Sequence, residues 1–222
     1  MLRFYVASRG GITGRLEKSA PKRHSYPVLL EGPYGGIKGQ PLHSYDRSLI
    51  IACGSGAGFS LPFIMSQLLR FRAGTSPGHR MHVVISARET VDWYEEALVD
   101  FIEENNLPST LEGIEISVHT TGNSDVSLPG SGDDEKRIDG GVVEHQQGTR
   151  KLPIQTFRGR PDLRSIVDES VRETGVSVGI AVCGPASVTH LVQDEAAKAQ
   201  KTILSGGGGA REVYLHSELF SW

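Results

Sequence analysis

From residue 48 onward the chain alternates between apolar runs of strand length and stretches with helical spacing. Residues 48–53, Ser-Leu-Ile-Ile-Ala-Cys, carry no charge and read as a strand buried on both faces. Over 59–71, Phe59, Phe63, Ile64, Leu68 and Leu69 recur every three to four positions and predict a helix. The rhythm repeats as a strand over 82–87, a helix over 93–104 with Ala97, Leu98 and Phe101 on one face, and an alternating strand over 114–120. Residues 154–157, 176–183 and 212–216 read as further strands, with helices over 162–174 and 187–199. Such alternation predicts an α/β fold, a doubly wound parallel sheet with helices on both faces, over residues 44–222. Residues 1–36 lack the rhythm. There, 3–7 and 28–31 read as short strands between Gly and Pro turns and predict a partial antiparallel β unit.

Residues 123–150 break the pattern. They hold six acidic against three basic side chains with no apolar periodicity, the signature of a disordered acidic loop. Gly206–Gly209 reads as a flexible connector before the last strand.

Three strand ends carry candidate chemistry. The first is Cys53-Gly54-Ser55-Gly56-Ala57-Gly58-Phe59-Ser60-Leu61-Pro62, a Gly-rich turn between a buried strand and a helix. Glycines let backbone approach a pyrophosphate, and free N–H groups at a helix start favour its charge. The spacing is G-x-G-x-G, not the Rossmann fingerprint, and no ribose-holding acidic residue follows at the expected distance. A turn that only packs strand to helix is the plain alternative.

The second end is Ser86-Ala87-Arg88-Glu89, where Arg88 stands just past a strand, the place where ligands of open α/β sheets gather. A guanidinium there suits a 2′-phosphate, and Tyr94 in the next helix is placed to stack near an adenine. The alternative is a surface pair of Arg88 with Glu89. The third is Cys183-Gly184-Pro185, with Pro185 suited to opening a helix and Cys183 expected to point into the same crevice as the glycine loop. A small buried core residue is the alternative for Cys183.

Composition narrows the class. With 38% hydrophobic and 22% charged residues, the 222-residue chain reads as an ordinary soluble globular protein. Its longest apolar runs are far shorter than a membrane span, and no secretory pattern opens it. Two cysteines make no disulfide framework, so both thiols are expected reduced in a cytoplasmic setting. Outside 123–150 acidic and basic side chains balance at 20 each, which excludes an electrostatic case for a nucleic-acid partner. No metal-ligating spacing stands out.

Taken in order, these motifs resemble the ferredoxin–NADP reductase superfamily, in its ferric-chelate reductase and NADPH oxidase branch. Gly10-Gly11-Ile12-Thr13 with Leu16 is similar to the flavin-domain segment along the FAD pyrophosphate, and Gly32-Pro33-Tyr34-Gly35 to the motif that closes that domain. The 54–62 loop, the 86–88 strand end, Thr120-Thr121-Gly122, Gly159-Arg160-Pro161 and Cys183-Gly184-Pro185 resemble successive motifs of the NADPH domain. Glu218-Leu219-Phe220-Ser221-Trp222 resembles the fungal ferric reductase C-terminus.

The resemblance implies an oxidoreductase module that binds NADPH. Gly54, Ser55, Gly56 and Gly58 would hold the pyrophosphate, Arg88 the 2′-phosphate, and Cys183 and Gly184 would border the nicotinamide, with Ser60, Tyr94, Thr120 and Pro185 as further cofactor-binding residues. It implies FAD contact through Gly11 and Thr13, and Phe220 as the aromatic over the flavin ring, with Cys183 and Phe220 the residues nearest the chemistry. Haem enters only in full-length relatives, which sit with this region on the cytosolic face of a membrane. The match begins inside the flavin domain at 1–36, without the flavin-seating motif. It therefore implies a missing membrane and flavin segment or a partner chain, and the stretch reads as a fragment or a truncated paralogue. A nucleotide-binding module without catalysis and a soluble diaphorase-like subunit are the alternatives.

Overall fold

The computed structural model describes residues 4, 6, 8, 10–22, 25–29, 31, 41–75, 78–89, 91–122 and 152–219. The 123–150 insert, the 32–35 motif and Phe220 lie outside the described residues. The chain divides into two compact units, Met1–Gly39 and Gln40–Trp222.

In the first unit the segment after Gly10 is a helix, α1 (Gly11–Ser19), followed by a 3-10 turn, Ala20–Lys22. The strands expected over 3–7 and 28–31 fall in part outside the described residues, and none of this unit's described residues lies in a strand. Arg15, Leu16, Glu17 and Lys18 are all strong helix formers and carry α1. Gly10 and Gly11, both at positive φ, turn the chain into α1. Thr13 Oγ1 donates back to the Gly10 carbonyl at 3.1 Å, and both Gly11 and Thr13 lie on a helix with no buried residue.

The second unit is a six-stranded sheet in the order β4-β3-β2-β1-β5-β6, every pairing parallel. Its strands are β1 (Arg47–Cys53), β2 (Arg80–Ala87), β3 (Ile114–Thr120), β4 (Ile154–Arg158), β5 (Ser177–Gly184) and β6 (Glu212–Leu219). The helices are α2 (Ala57–Arg72), α3 (Asp92–Glu104), α4 (Leu163–Arg172) and α5 (Ala186–Leu204). Successive side chains of a strand face opposite ways. Leu49, Ile51, Val178, Ile180 and Val182 therefore pack with Leu163, Val167, Val192 and Ala196 of α4 and α5. The alternate residues Ile50, Ala52, Val83 and Ile85 are equally buried on the other face, where α2 lies against β1, β2 and α3. Burial on both faces is why these strands read as unbroken apolar runs.

The chain leaves β1 toward β2 on one side. It returns from the far strand β4, through α4, to place β5 on the other side of β1. The β1/β5 pair is thus the topological switch point, and its C-terminal ends form the crevice where ligands of such sheets bind. At the opposite ends, the Asp46 carboxylate accepts from the Ser177 N–H and hydroxyl, each at 2.8 Å, and Ser177 Oγ accepts from the Asp46 N–H. Those bonds hold the Asp46 carboxyl below its ordinary range, with Arg211 adding to the effect. No helix of the described residues is long and apolar enough to cross a membrane.

Candidate functional site

The crevice is framed by two helix starts. Beyond Cys53 the chain enters a 3-10 turn, Gly54–Gly56, with Gly54 at φ +55°, a conformation side chains seldom adopt. Helix α2 then opens at Ala57 with no side-chain cap and no acidic residue in its first turn. Helix α5 opens after Pro185 in the same condition. At α2 the Ala57 N–H is taken by the Gly54 carbonyl, and at α5 the Val188 and Thr189 N–H groups by the Pro185 carbonyl; the remaining first-turn N–H groups and the helix dipole make these ends attractive to anions. Gly54 and Ser55 are exposed, Gly56 is buried and Gly58 is half-buried. Gly184 is there for closeness: a Cβ on it would stand 3.2 Å from the Cys53 Cβ and 3.3 Å from its Sγ.

Ser60 and Tyr94 are both fully buried. The Tyr94 hydroxyl lies 2.6 Å from Ser60 Oγ, which donates to the Ala57 carbonyl at 2.7 Å. Ser60 has one proton and the carbonyl can only accept, so Tyr94 donates to Ser60. The expected stacking of Tyr94 on an adenine therefore has no exposed ring face to act through. The neighbouring Trp93 is half-buried, and its ring edge comes 3.8 Å from where a Gly58 Cβ would stand. Trp93, not Tyr94, is the ring beside the glycine loop.

Arg88 is exposed just beyond β2, and its guanidinium has no hydrogen bond or ion pair among the described residues. The pair with Glu89 weighed from the sequence is not among its contacts. Thr120 is half-buried, and its Oγ1 donates to the Phe157 carbonyl at 3.2 Å, tying β3 to β4. Arg158 ends β4 and Arg160 follows Gly159, which sits at φ +95°. With Arg88 these make three exposed cations on one sheet edge.

The thiols occupy the same edge on different faces. Ala52 is the register partner of Cys183, so Cys53 lies one residue out of step and projects to the other side of the pleat. Both are free thiols, and that geometry cannot be bridged without moving backbone. Burial pushes Cys53 up to about 11 and, with the Glu218 and Cys53 charges, Cys183 up to about 12. At neutral pH both are protonated, and Cys183 is an apolar wall residue, not a thiolate. Glu218, whose register partner is Cys183, brings a half-buried carboxylate to that point.

A groove of about 470 Å³ lies at the other end of the sheet, lined by Arg47, Arg80, His82, Glu115 and Glu169 among others. It opens at the N-terminal ends of β1, β2 and β3, far from both glycine turns, and the switch-point rule places ligands at the opposite edge.

Residues 45–197, which span the crevice and both of its helix starts, match the family model described as ferric reductase NAD binding domain. The chain belongs to that family. A probable ferric reductase transmembrane component of Candida albicans is 23% identical over 205 residues, covering 84% of this chain and 29% of that protein. Ferric/cupric reductase transmembrane component 7 of Saccharomyces cerevisiae is 22% identical over 250 residues, covering 100% of this chain and 38% of that protein. The chain thus spans less than two fifths of the length of these relatives. Within the ferric reductase family it is a nicotinamide-dinucleotide-binding module of ferredoxin–NADP reductase type.

Three residues of this edge, Trp93, Arg160 and Glu218, were not assigned roles from the sequence, although Arg160 and Glu218 stand inside motifs quoted there and Trp93 is the neighbour of Tyr94. Adjacent residues on a helix or strand end face different ways, and spacing alone did not show which one meets solvent.

Proposed function

We propose that this chain is the NADPH-binding half of a flavin-dependent ferric-chelate reductase. The reading rests on one arrangement, two uncapped helix starts flanking the β1/β5 switch point inside the family's nucleotide domain. Gly54, Ser55, Gly56 and Gly58, with the α2 N–H groups, hold the pyrophosphate. Arg88, joined by Arg160, takes the 2′-phosphate. Trp93 offers a ring beside the loop, while Ser60 and Tyr94 hold that loop from behind. Cys183, Gly184 and Pro185 border the nicotinamide, the neutral thiol serving as an apolar wall beside the Glu218 carboxylate.

In a whole reductase, bound NADPH would supply hydride to FAD, with electrons passing on to haem and ferric iron. FAD would be met on this chain by Gly11 and Thr13 of α1. The protein's part is positioning, since the redox chemistry belongs to the cofactors. Calorimetric titration tests the cofactor choice directly. NADPH should bind more tightly than NADH, and Arg88→Ala should weaken NADPH by roughly tenfold or more while leaving NADH nearly unchanged. Equal losses for both nucleotides would contradict the assigned role of Arg88.

A further inference from the structure

The strand end that carries Arg88 is held by backbone from its neighbour. The β2–β3 ladder closes at Ala87 and Thr120, yet the lacing continues beyond it. The Thr121 N–H donates to the Ala87 carbonyl at 2.8 Å, and Thr121 Oγ1 donates to the same oxygen at 3.2 Å. The Gly122 N–H then donates to the Arg88 carbonyl at 2.8 Å. A Cβ at 122 would stand 2.2 Å from that oxygen, where real contacts stop near 3.0 Å. The obstacle is backbone, so no side chain can swing aside, and any residue but glycine forces the two segments apart. Arg88 is thus fixed at its base while its guanidinium is exposed and unpaired among the described residues.

We propose that Thr121 and Gly122 form a clasp that positions Arg88 for the 2′-phosphate and so sets the preference for NADPH over NADH. This rests on the reading of Arg88 given above. A guanidinium meets a phosphate through a planar fork of donors, and the pairing is demanding in direction as well as distance. The clasp fixes where that fork starts. NADH carries no 2′-phosphate, so its binding is indifferent to the clasp. Thr121 and Gly122 are positioning residues and touch no reacting atom.

The test is calorimetric titration of NADPH and NADH against the full chain and its Gly122→Ala, Arg88→Ala and doubly substituted forms, with melting temperatures measured alongside. Gly122→Ala should weaken NADPH about tenfold and leave NADH within about twofold, because only the charge-assisted phosphate contact is displaced. In the Arg88→Ala background, Gly122→Ala should cost NADPH nothing further. Equal losses for both nucleotides, or no loss for either, would overturn the clasp. If Arg88→Ala alone leaves the preference intact, the reading of Arg88 fails first, and the proposal goes with it. Should Gly122→Ala not fold, Thr121→Val decides the matter, since it keeps the shape and the N–H while removing the Oγ1 bond. It should cause a loss of about threefold confined to NADPH, restored by Thr121→Ser. A loss shared with NADH, or none, would again overturn it.

Discussion

A hydroxyl buried without an acceptor costs more than one that loses only its donor, and Ser60 and Tyr94 expose the difference. Tyr94→Phe removes a donor from Ser60, which keeps its own bond to Ala57; the cost should be about 1 kcal/mol. Ser60→Ala strands the Tyr94 hydroxyl in the core, where burial has already pushed its pKa up, and should cost up to about 3 kcal/mol. Urea unfolding of the two variants checks the order, and a larger loss for Tyr94→Phe would contradict the donor assignment. At this scale the sequence was legible in residue type but not in direction. It located the glycines, Arg88 and Cys183 at strand ends. It could not tell that Tyr94 turns inward while Trp93 stays beside the loop, because both fall in the first turn of α3 and differ by about 100° of rotation.

At the level of elements, strands and helices from residue 48 onward were readable because burial on both faces writes itself as apolar runs. The ends were less so: β6 runs on to Leu219 and α5 to Leu204, lengthened by ladder and helix bonds that periodicity does not record. Helix α1 was missed because two glycines at positive φ read as a turn and masked the helix formers behind them.

The joint between β1 and β2 was also invisible in sequence. His79, just before β2, is buried; its Nδ1–H donates to the Tyr45 carbonyl at 2.7 Å, and its Nε2 lies 3.0 Å from Ser48 Oγ. A carbonyl only accepts, so the neutral ring takes the Ser48 proton at Nε2. Burial lowers the His79 pKa below its usual 6.5, with Arg70 adding to the effect against the opposing Tyr45 bond and Asp46 charge. A depressed folded pKa means that the unfolded chain binds the proton first. Stability is therefore complete above pH 6.5 and should fall as the pH drops below it toward the folded pKa. His43, His82 and His119 are shifted the same way by burial and add to the loss. Urea midpoints should decline from pH 7.5 to 5, less steeply in His79→Gln; an equal slope would remove His79 from the account.

Over the whole molecule, the sheet order does what no single motif does. Five strand ends spread from residue 53 to residue 185 gather at one edge because every strand runs parallel, and the reversal of travel at β1 and β5 opens the crevice between them. Strand–helix alternation implied that arrangement, which is why the crevice was legible before its geometry was. The groove at the other edge was not legible, since it arises where α4 crosses the starts of three strands distant in sequence. The two edges give competing answers to where a ligand sits, and amide hydrogen exchange with and without saturating NADPH separates them. The central claim requires NADPH to slow exchange across residues 54–58 and 184–188, with 80–82 and 113–115 unchanged. Protection around Arg80 and Gly113 with none at the glycine loops, or no protection anywhere, would contradict it.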